Sequence, residues 1–227
     1  MKKPAQTSKP LGLYIHIPFC RSKCAYCDFY SLPAASPAAQ NRYTAALRRH
    51  LAESAALMTS YEADTVYFGG GTPSLLGARR LKGLMKTIRG AFRLSPEAEV
   101  TLEANPDSMG DLRLARSLRR TGFNRISLGV QSADDRELGA IGRVHSFQQA
   151  AEAVKALALN GSATALLLVD QISRKFKFRQ VKNAAGEALT YAARELGISR
   201  DELEDRIVPD LGFDERMERS FDYGSRR

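Results

Sequence analysis

The feature that most constrains this chain is a fourfold alternation of buried-looking strands with amphipathic helices, each strand running out into residues suited to holding a ligand. Leu11, Leu13, Ile15 and Ile17 alternate with Gly12, Tyr14 and His16, the period-two pattern of a strand with two unlike faces. Leu47, Leu51, Ala55 and Met58 then recur three or four residues apart, which predicts one long helix over 38–58. A short run over 64–68 stops at Gly69-Gly70-Gly71-Thr72-Pro73, and Leu81, Leu84, Met85 and Ile88 form one stripe of a helix over 77–92. A third strand over 99–102 ends in Glu103-Ala104-Asn105-Pro106, and Leu112, Leu114, Ala115 and Leu118 mark a helix closed by Gly122. A fourth strand, 125–130, runs into Gln131-Ser132. A short helix over 134–140 and another capped by Ser146 and reaching Leu159 complete the regular part. Such a βα repeat demands a parallel sheet, and ligands of parallel α/β sheets bind beyond the C-terminal ends of the strands.

Past the first strand lies Cys20-Arg21-Ser22-Lys23-Cys24-Ala25-Tyr26-Cys27, which holds all 3 cysteines of the chain. Three thiolates on one short loop suit a polynuclear iron–sulfur cluster in which one iron keeps no protein ligand. A zinc site completed by His16 is a second reading of the same residues. The glycine run permits close backbone approach to a ligand, but lacks the lysine of a P-loop and the spacing of a dinucleotide fingerprint. Glu103 and Gln131 occupy equivalent strand ends. The carboxylate suits ribose hydroxyls or an amine, and the amide suits a nucleoside. Arg143 suits a carboxylate, and Tyr14 and Tyr26 are aromatics able to line a site or simply to pack.

The 227 residues, 44% hydrophobic, are enough for a sizeable core, and a net charge of +9 hints at an acidic or anionic partner. The odd, tightly spaced cysteines argue against a disulfide framework and for a reducing compartment. The longest apolar run, 165–169, is far too short to cross a bilayer, so the expectation is a cytoplasmic protein. Arg and Lys gather at 173–182, where Phe176 and Phe178 interleave with them. That pattern suits stacking on a nucleic acid single strand, but it equally describes a surface strand with one apolar face, which is the preferred reading.

Tyr14-Ile-His-Ile-Pro-Phe-Cys20, the cysteine triplet, Gly69-Gly-Gly-Thr-Pro-Ser74, Leu102-Glu-Ala-Asn-Pro-Asp107 and Arg125-Ile-Ser-Leu-Gly-Val-Gln131 together make residues 11 to about 160 resemble the radical S-adenosylmethionine (SAM) proteins related to oxygen-independent coproporphyrinogen III oxidase. The form Lys23-Cys24-Ala25-Tyr26-Cys27-Asp28-Phe29 is more similar to the heme chaperone branch than to the oxidase, whose cluster loop usually has a further cysteine. The resemblance implies an α/β fold: a partial (βα) radical-SAM barrel of about four units, then a small, mostly helical C-terminal segment. It implies a [4Fe–4S] cluster on Cys20, Cys24 and Cys27. It implies SAM held by Tyr14, Tyr26, Gly70, Gly71, Thr72, Glu103, Gln131 and Arg143. It also implies heme or a porphyrin as ligand, an electron donor, and membrane respiratory proteins as recipients of heme. In the oxidases the corresponding chemistry decarboxylates propionates to vinyl groups.

After residue 161 the pattern breaks. Residues 165–170 read either as a fifth strand or as the start of another domain, and Asp170 is not assigned a cofactor role because its neighbours do not match the family. A helix over 182–196 and a turn capped by Ser199 follow. Residues 166–224 resemble the C-terminal part of bacterial proteins labelled molybdate metabolism regulators, carried by Lys182-Asn-Ala-Ala-Gly-Glu-Ala-Leu189, Leu196-Gly-Ile-Ser-Arg-Asp-Glu-Leu203, Ile207-Val-Pro-Asp-Leu-Gly212 and Phe221-Asp-Tyr-Gly224. The expected organisation is a leader (1–10), a truncated core (11–162) and an unrelated segment (163–227), joined as in a fusion. A half-barrel exposes an edge strand, so the expectations include an inactive product, a metal-scaffold binding module and a homo-oligomer that covers the edge.

Overall fold

The computed structural model describes residues 8–109, 111–158, 163–175 and 179–207. Four parallel strands form its sheet: β1 (Lys9–Ile17), then, after the two-residue pair β2 (Phe19–Cys20) and β3 (Leu32–Pro33), β4 (Tyr61–Gly70), β5 (Leu94–Ala104) and β6 (Arg125–Leu128). Their spatial order is β1-β4-β5-β6, each strand added on the same side of the last. That is the winding of a barrel wall, with no point at which strand order reverses.

The intervening helices are α1 (Pro37–Ala56), α2 (Gly77–Ala91) and α3 (Leu112–Thr121). Each begins and ends where local chemistry requires. The Ser36 hydroxyl accepts from Ala39 N–H at 3.2 Å ahead of Pro37, an N-cap followed by proline in the first turn. Asp111 caps α3, and Gly122, at φ 101°, ends it with Phe123 N–H returning to the Leu118 carbonyl at 3.1 Å. Adjacent helices touch one another, α1 on α2 and α2 on α3, so all three cover one face of the sheet. Ile15 and Ile17 of β1, Val66 and Phe68 of β4 and Val100 and Leu102 of β5 are buried there with Leu81, Leu84, Met85 and Ile88 of α2. Each such side chain contributes about 1.5–3 kcal/mol of burial.

The other face is polar and bears Tyr14, His16, Tyr67, Thr101, Glu103, Arg125 and Ser127 at the alternate positions. This is the inner wall of a partial barrel. Among the described residues no strand pairs with the outer edge of β6.

Beyond the sheet come α4 (Asp135–Ala140), α5 (Phe147–Ala158), α6 (Ala163–Lys175), α7 (Arg179–Leu196) and α8 (Arg200–Ile207). Ala153 of α5 belongs to the sheet core, while Ala158 packs with Val169 of α6, Ala188, Leu189 and Ala192 of α7 and Leu203 of α8 in a second cluster. Residues 165–170 are therefore helical and not a fifth strand: Leu166, Val169 and Asp170 recur at helical spacing and are buried together. Asp170 pairs with Arg174 at 2.9 Å and lies 4.0 Å from Arg200, and it does not line the cavity that holds the cysteines. The expected surface strand over 173–182 is overturned at both flanks, which are the end of α6 and the start of α7. Residues 176–178 lie outside the described residues, as do residues 208–227, on which a turn over 207–212 and a polar tail over 220–227 are expected from sequence. The fourth strand stops at Leu128, two residues before the expected end. No described helix is long and apolar enough to cross a membrane.

Candidate functional site

The C-terminal ends of the strands share one edge, because Ile17 pairs with Gly70, Phe68 with Leu102 and Ala104 with Leu128 in parallel register. A cavity of about 230 Å³ opens there, lined by Cys20, Cys24, Cys27, Tyr26, Gly70, Gly71, Thr72, Glu103, Asn105, Ser127, Gln131 and Arg143. Every site residue expected from sequence except Tyr14 lines it. A larger cavity, about 630 Å³, lies at the opposite end of the strands around Leu94 and Pro96. It holds none of the cysteines and none of the glycines of the 69–71 turn, so chemistry rather than size selects the site.

The glycine turn is pressed between a strand end and the cysteine loop. Gly71 N–H donates to the Ile17 carbonyl at 2.8 Å and Thr72 N–H to the Phe19 carbonyl at 2.7 Å. A Cβ on Gly71 would lie 2.7 Å from the Phe19 carbonyl oxygen and 3.0 Å from Cys20 Sγ, closer than real Cβ contacts come. Gly70 N–H donates to Glu103 Oε2 at 3.1 Å. The sequence suggested glycines for backbone approach to a ligand. In the structure the N–H groups of Gly70, Gly71 and Thr72 are all engaged within the protein.

Glu103 is held from its other oxygen by Tyr67 Oη at 2.6 Å. Tyr67 was not legible as a site residue, although strand alternation from Gly69 puts it on the polar face. Burial and then the Glu103 hydrogen bond push its phenol up to about 12. Tyr14 stacks on Tyr67, ring centroids 6.0 Å apart and 16° from parallel, so it stands on the inner wall beside the cavity and not in its lining.

Arg143 ties the cysteine loop to two strand ends. Its Nη2 donates to Asn105 Oδ1 at 2.7 Å and to the Gly129 carbonyl, and its Nη1 lies 3.8 Å from Cys24 Sγ and 3.5 Å from Tyr26 Oη. Burial raises the Tyr26 phenol, opposed by the Arg143 charge. Asn105 donates in turn to Thr72 Oγ1 at 3.2 Å, and Thr72 Oγ1 lies 3.7 Å from Cys20 Sγ. A second tie, invisible in sequence, joins Arg21 to Asp107 at 2.8 Å, with the Asp107 side chain only 6% exposed.

The donor set fits an iron–sulfur cluster in kind: three free, partly exposed thiols border one cavity, two of them beside a hydroxyl or guanidinium able to donate to sulfur. Among the described residues no three His, Cys, Asp or Glu side chains gather as they would around a single ion. The zinc arrangement with His16 requires that convergence, whereas a cluster held by thiolates on separate irons does not. His16 instead has its ring against Gly70.

The profile of the Radical SAM superfamily matches residues 14–172. Among curated proteins, the heme chaperone HemW of Mycobacterium tuberculosis is 44% identical over 147 residues, 64% of this chain and 37% of that one. HemW of Escherichia coli is 40% identical over 146 residues, 64% of this chain and 38% of that one. The mitochondrial radical S-adenosyl methionine domain-containing protein 1 of Bos taurus is 38% identical over 159 residues, 66% and 33% of the two chains. Among solved structures, coproporphyrinogen III oxidase (HemN) from Escherichia coli superposes with a TM-score of 0.62 at 29% identity, over 66% of this chain and 34% of that one. The chain thus spans about a third of the length of these relatives.

Proposed function

This chain belongs to the radical SAM superfamily, and on that premise we propose that its strand-end rim holds a [4Fe–4S] cluster and SAM in the service of heme or porphyrin handling. What carries the reading is one arrangement: the three cysteines border the same cavity as Thr72, Glu103, Gln131 and Arg143. When bound, the cluster supplies an electron to the sulfonium of SAM, and the protein's task is to orient that bond and keep other reactions out.

Cys20, Cys24 and Cys27 hold the cluster in this reading. The carbonyls of Gly70 and Gly71 and the Thr72 hydroxyl accept from the methionyl ammonium, since the N–H groups beside them are already engaged. Glu103, fixed from both oxygens, accepts from further cofactor N–H or O–H groups. Arg143 neutralises a carboxylate, Gln131 serves the nucleoside, and Tyr26 shields the cluster side. Tyr14 and Tyr67 extend an aromatic wall.

Similarity to the HemW proteins favours heme chaperoning, with delivery to membrane respiratory proteins, over coproporphyrinogen oxidation. The C-terminal helices, read as a segment of separate origin, have no part in this site.

The test is anaerobic reconstitution with iron and sulfide, followed by electron paramagnetic resonance of the reduced protein. A [4Fe–4S] signal that changes on adding SAM is expected, and Cys24→Ala should lose it. A Cys24→Ala protein that retains full iron and sulfide would refute the ligand assignment. Stoichiometric heme binding without coproporphyrinogen consumption is the expected outcome of the accompanying assays, and consumption would favour the oxidase reading.

A further inference from the structure

We infer that His145 is a positioning residue: it holds the strained turn that presents Gln131 to the cavity. After β6 the chain turns sharply. Ser132 N–H donates to the Val130 carbonyl at 2.9 Å across Gln131, whose φ is 69°. A two-residue-apart hydrogen bond around a positive φ is the rarer, strained form of γ-turn. Gln131 is one of only two described non-glycine residues at positive φ, and such strain persists only where neighbouring structure over-determines it.

The neighbouring structure is the extended segment after α4. Arg143 and His145, two residues apart, take consecutive carbonyls of the turn: Arg143 Nη2 that of Gly129, and His145 Nε2 that of Val130 at 3.1 Å. Val144 between them faces solvent, whereas His145 is only 4% exposed. A carbonyl accepts, so Nε2 carries the proton and Nδ1 is the bare nitrogen. Nδ1 is buried and without a partner. The bond to Val130 is thus the one hydrogen bond the ring makes among the described residues. Burial, and then the Arg143 charge, lower its basicity, in keeping with the neutral ring. The segment acts as a latch that closes the turn from outside while Gln131 lines the cavity.

Only the use made of Gln131 rests on the SAM reading; the latch does not, and two measurements separate them. The first is a thermal unfolding cycle on the apoprotein. Gln131→Gly relieves the strain and should raise the midpoint by about 2–4 °C in the parent, yet raise it not at all in His145→Leu, where the turn has already relaxed. Equal gains in both backgrounds would overturn the latch. The second is SAM titration of the reconstituted protein. His145→Leu should weaken binding about tenfold at unchanged iron and sulfide content, and His145→Gln, which keeps a donor near the Nε2 position, should recover most of it. Parent-like binding by His145→Leu would overturn the positioning role. Absence of SAM binding by the parent itself would sink the cofactor reading, and the unfolding cycle would still decide the latch.

Discussion

Gly70→Ala should be among the most damaging single-methyl additions to this protein. Two separable penalties meet there. Gly70 has φ 110°, which side-chain-bearing residues rarely adopt, and forcing alanine into it costs about 1–3 kcal/mol. The added Cβ would also lie 2.5 Å from Cε1 and 2.6 Å from Nδ1 of His16, an overpacking worth about 1–3 kcal/mol. Together these make about 2–6 kcal/mol out of a total stability of about 5–15 kcal/mol. At about 2–4 °C per kcal/mol for a chain of this size, the unfolding midpoint should fall by roughly 4–24 °C. The assay is thermal unfolding by far-ultraviolet circular dichroism. In a His16→Ala background the steric part disappears and only the torsional part, about 1–3 kcal/mol, should remain. Gly83→Ala in α2 is the control: nothing lies within 4 Å of its Cβ, and it should stabilise by about 0.5–1 kcal/mol. If Gly70→Ala unfolds at the parental temperature, the argument from backbone torsion and His16 contact is wrong.

Arg21→Ala strips the partner from a nearly buried carboxylate and should cost about 1–3 kcal/mol, with the Arg21 side being half exposed and so contributing little Coulomb energy of its own. Urea unfolding measures it, and Arg21→Ala/Asp107→Ala should recover most of the loss; a strictly additive double mutant would mean the pair is not coupled. Tyr67 should titrate late. With a folded pKa pushed up to about 12 against 10.0 unfolded, its stabilising effect is complete below pH 10 and is lost as pH rises from 10 toward 12. Tyr67→Phe should remove tyrosinate absorbance from the latest part of the alkaline titration, and loss from the early part instead would contradict the Glu103 contact.

Much of the fold was legible because it rests on periodicity. The alternation at Leu11–Ile17 and the stripes at Leu81–Ile88 are repeated many times over, and one face of each element has to be buried, so each element could be located to within a few residues. Residues 165–170 escaped because so short an apolar run fits a strand and a helix equally well. Within α6, Leu166 and Val169 pack in one cluster with residues of α7, which sequence does not display. The site was legible in its parts, since cysteines, glycines and strand-end polar groups announce their chemistry by type. Tyr67, Asn105, Asp107 and His145 were not, because each acts through a partner 15 to 86 positions away along the chain: Glu103 for Tyr67, Arg143 for Asn105, Arg21 for Asp107 and Val130 for His145.

By itself, then, the sequence determined that strands and helices alternate, that the sheet is parallel, and that three thiols share one loop. Those follow from side-chain period and from covalent proximity. Only the tertiary structure decided that the glycine N–H groups are consumed inside the protein, that Arg143 binds the cysteine loop to β5 and β6, and that Gln131 sits on a strained turn beneath His145. Hydrogen-bond partners and torsion angles depend on which distant segments meet, and no local pattern encodes that meeting.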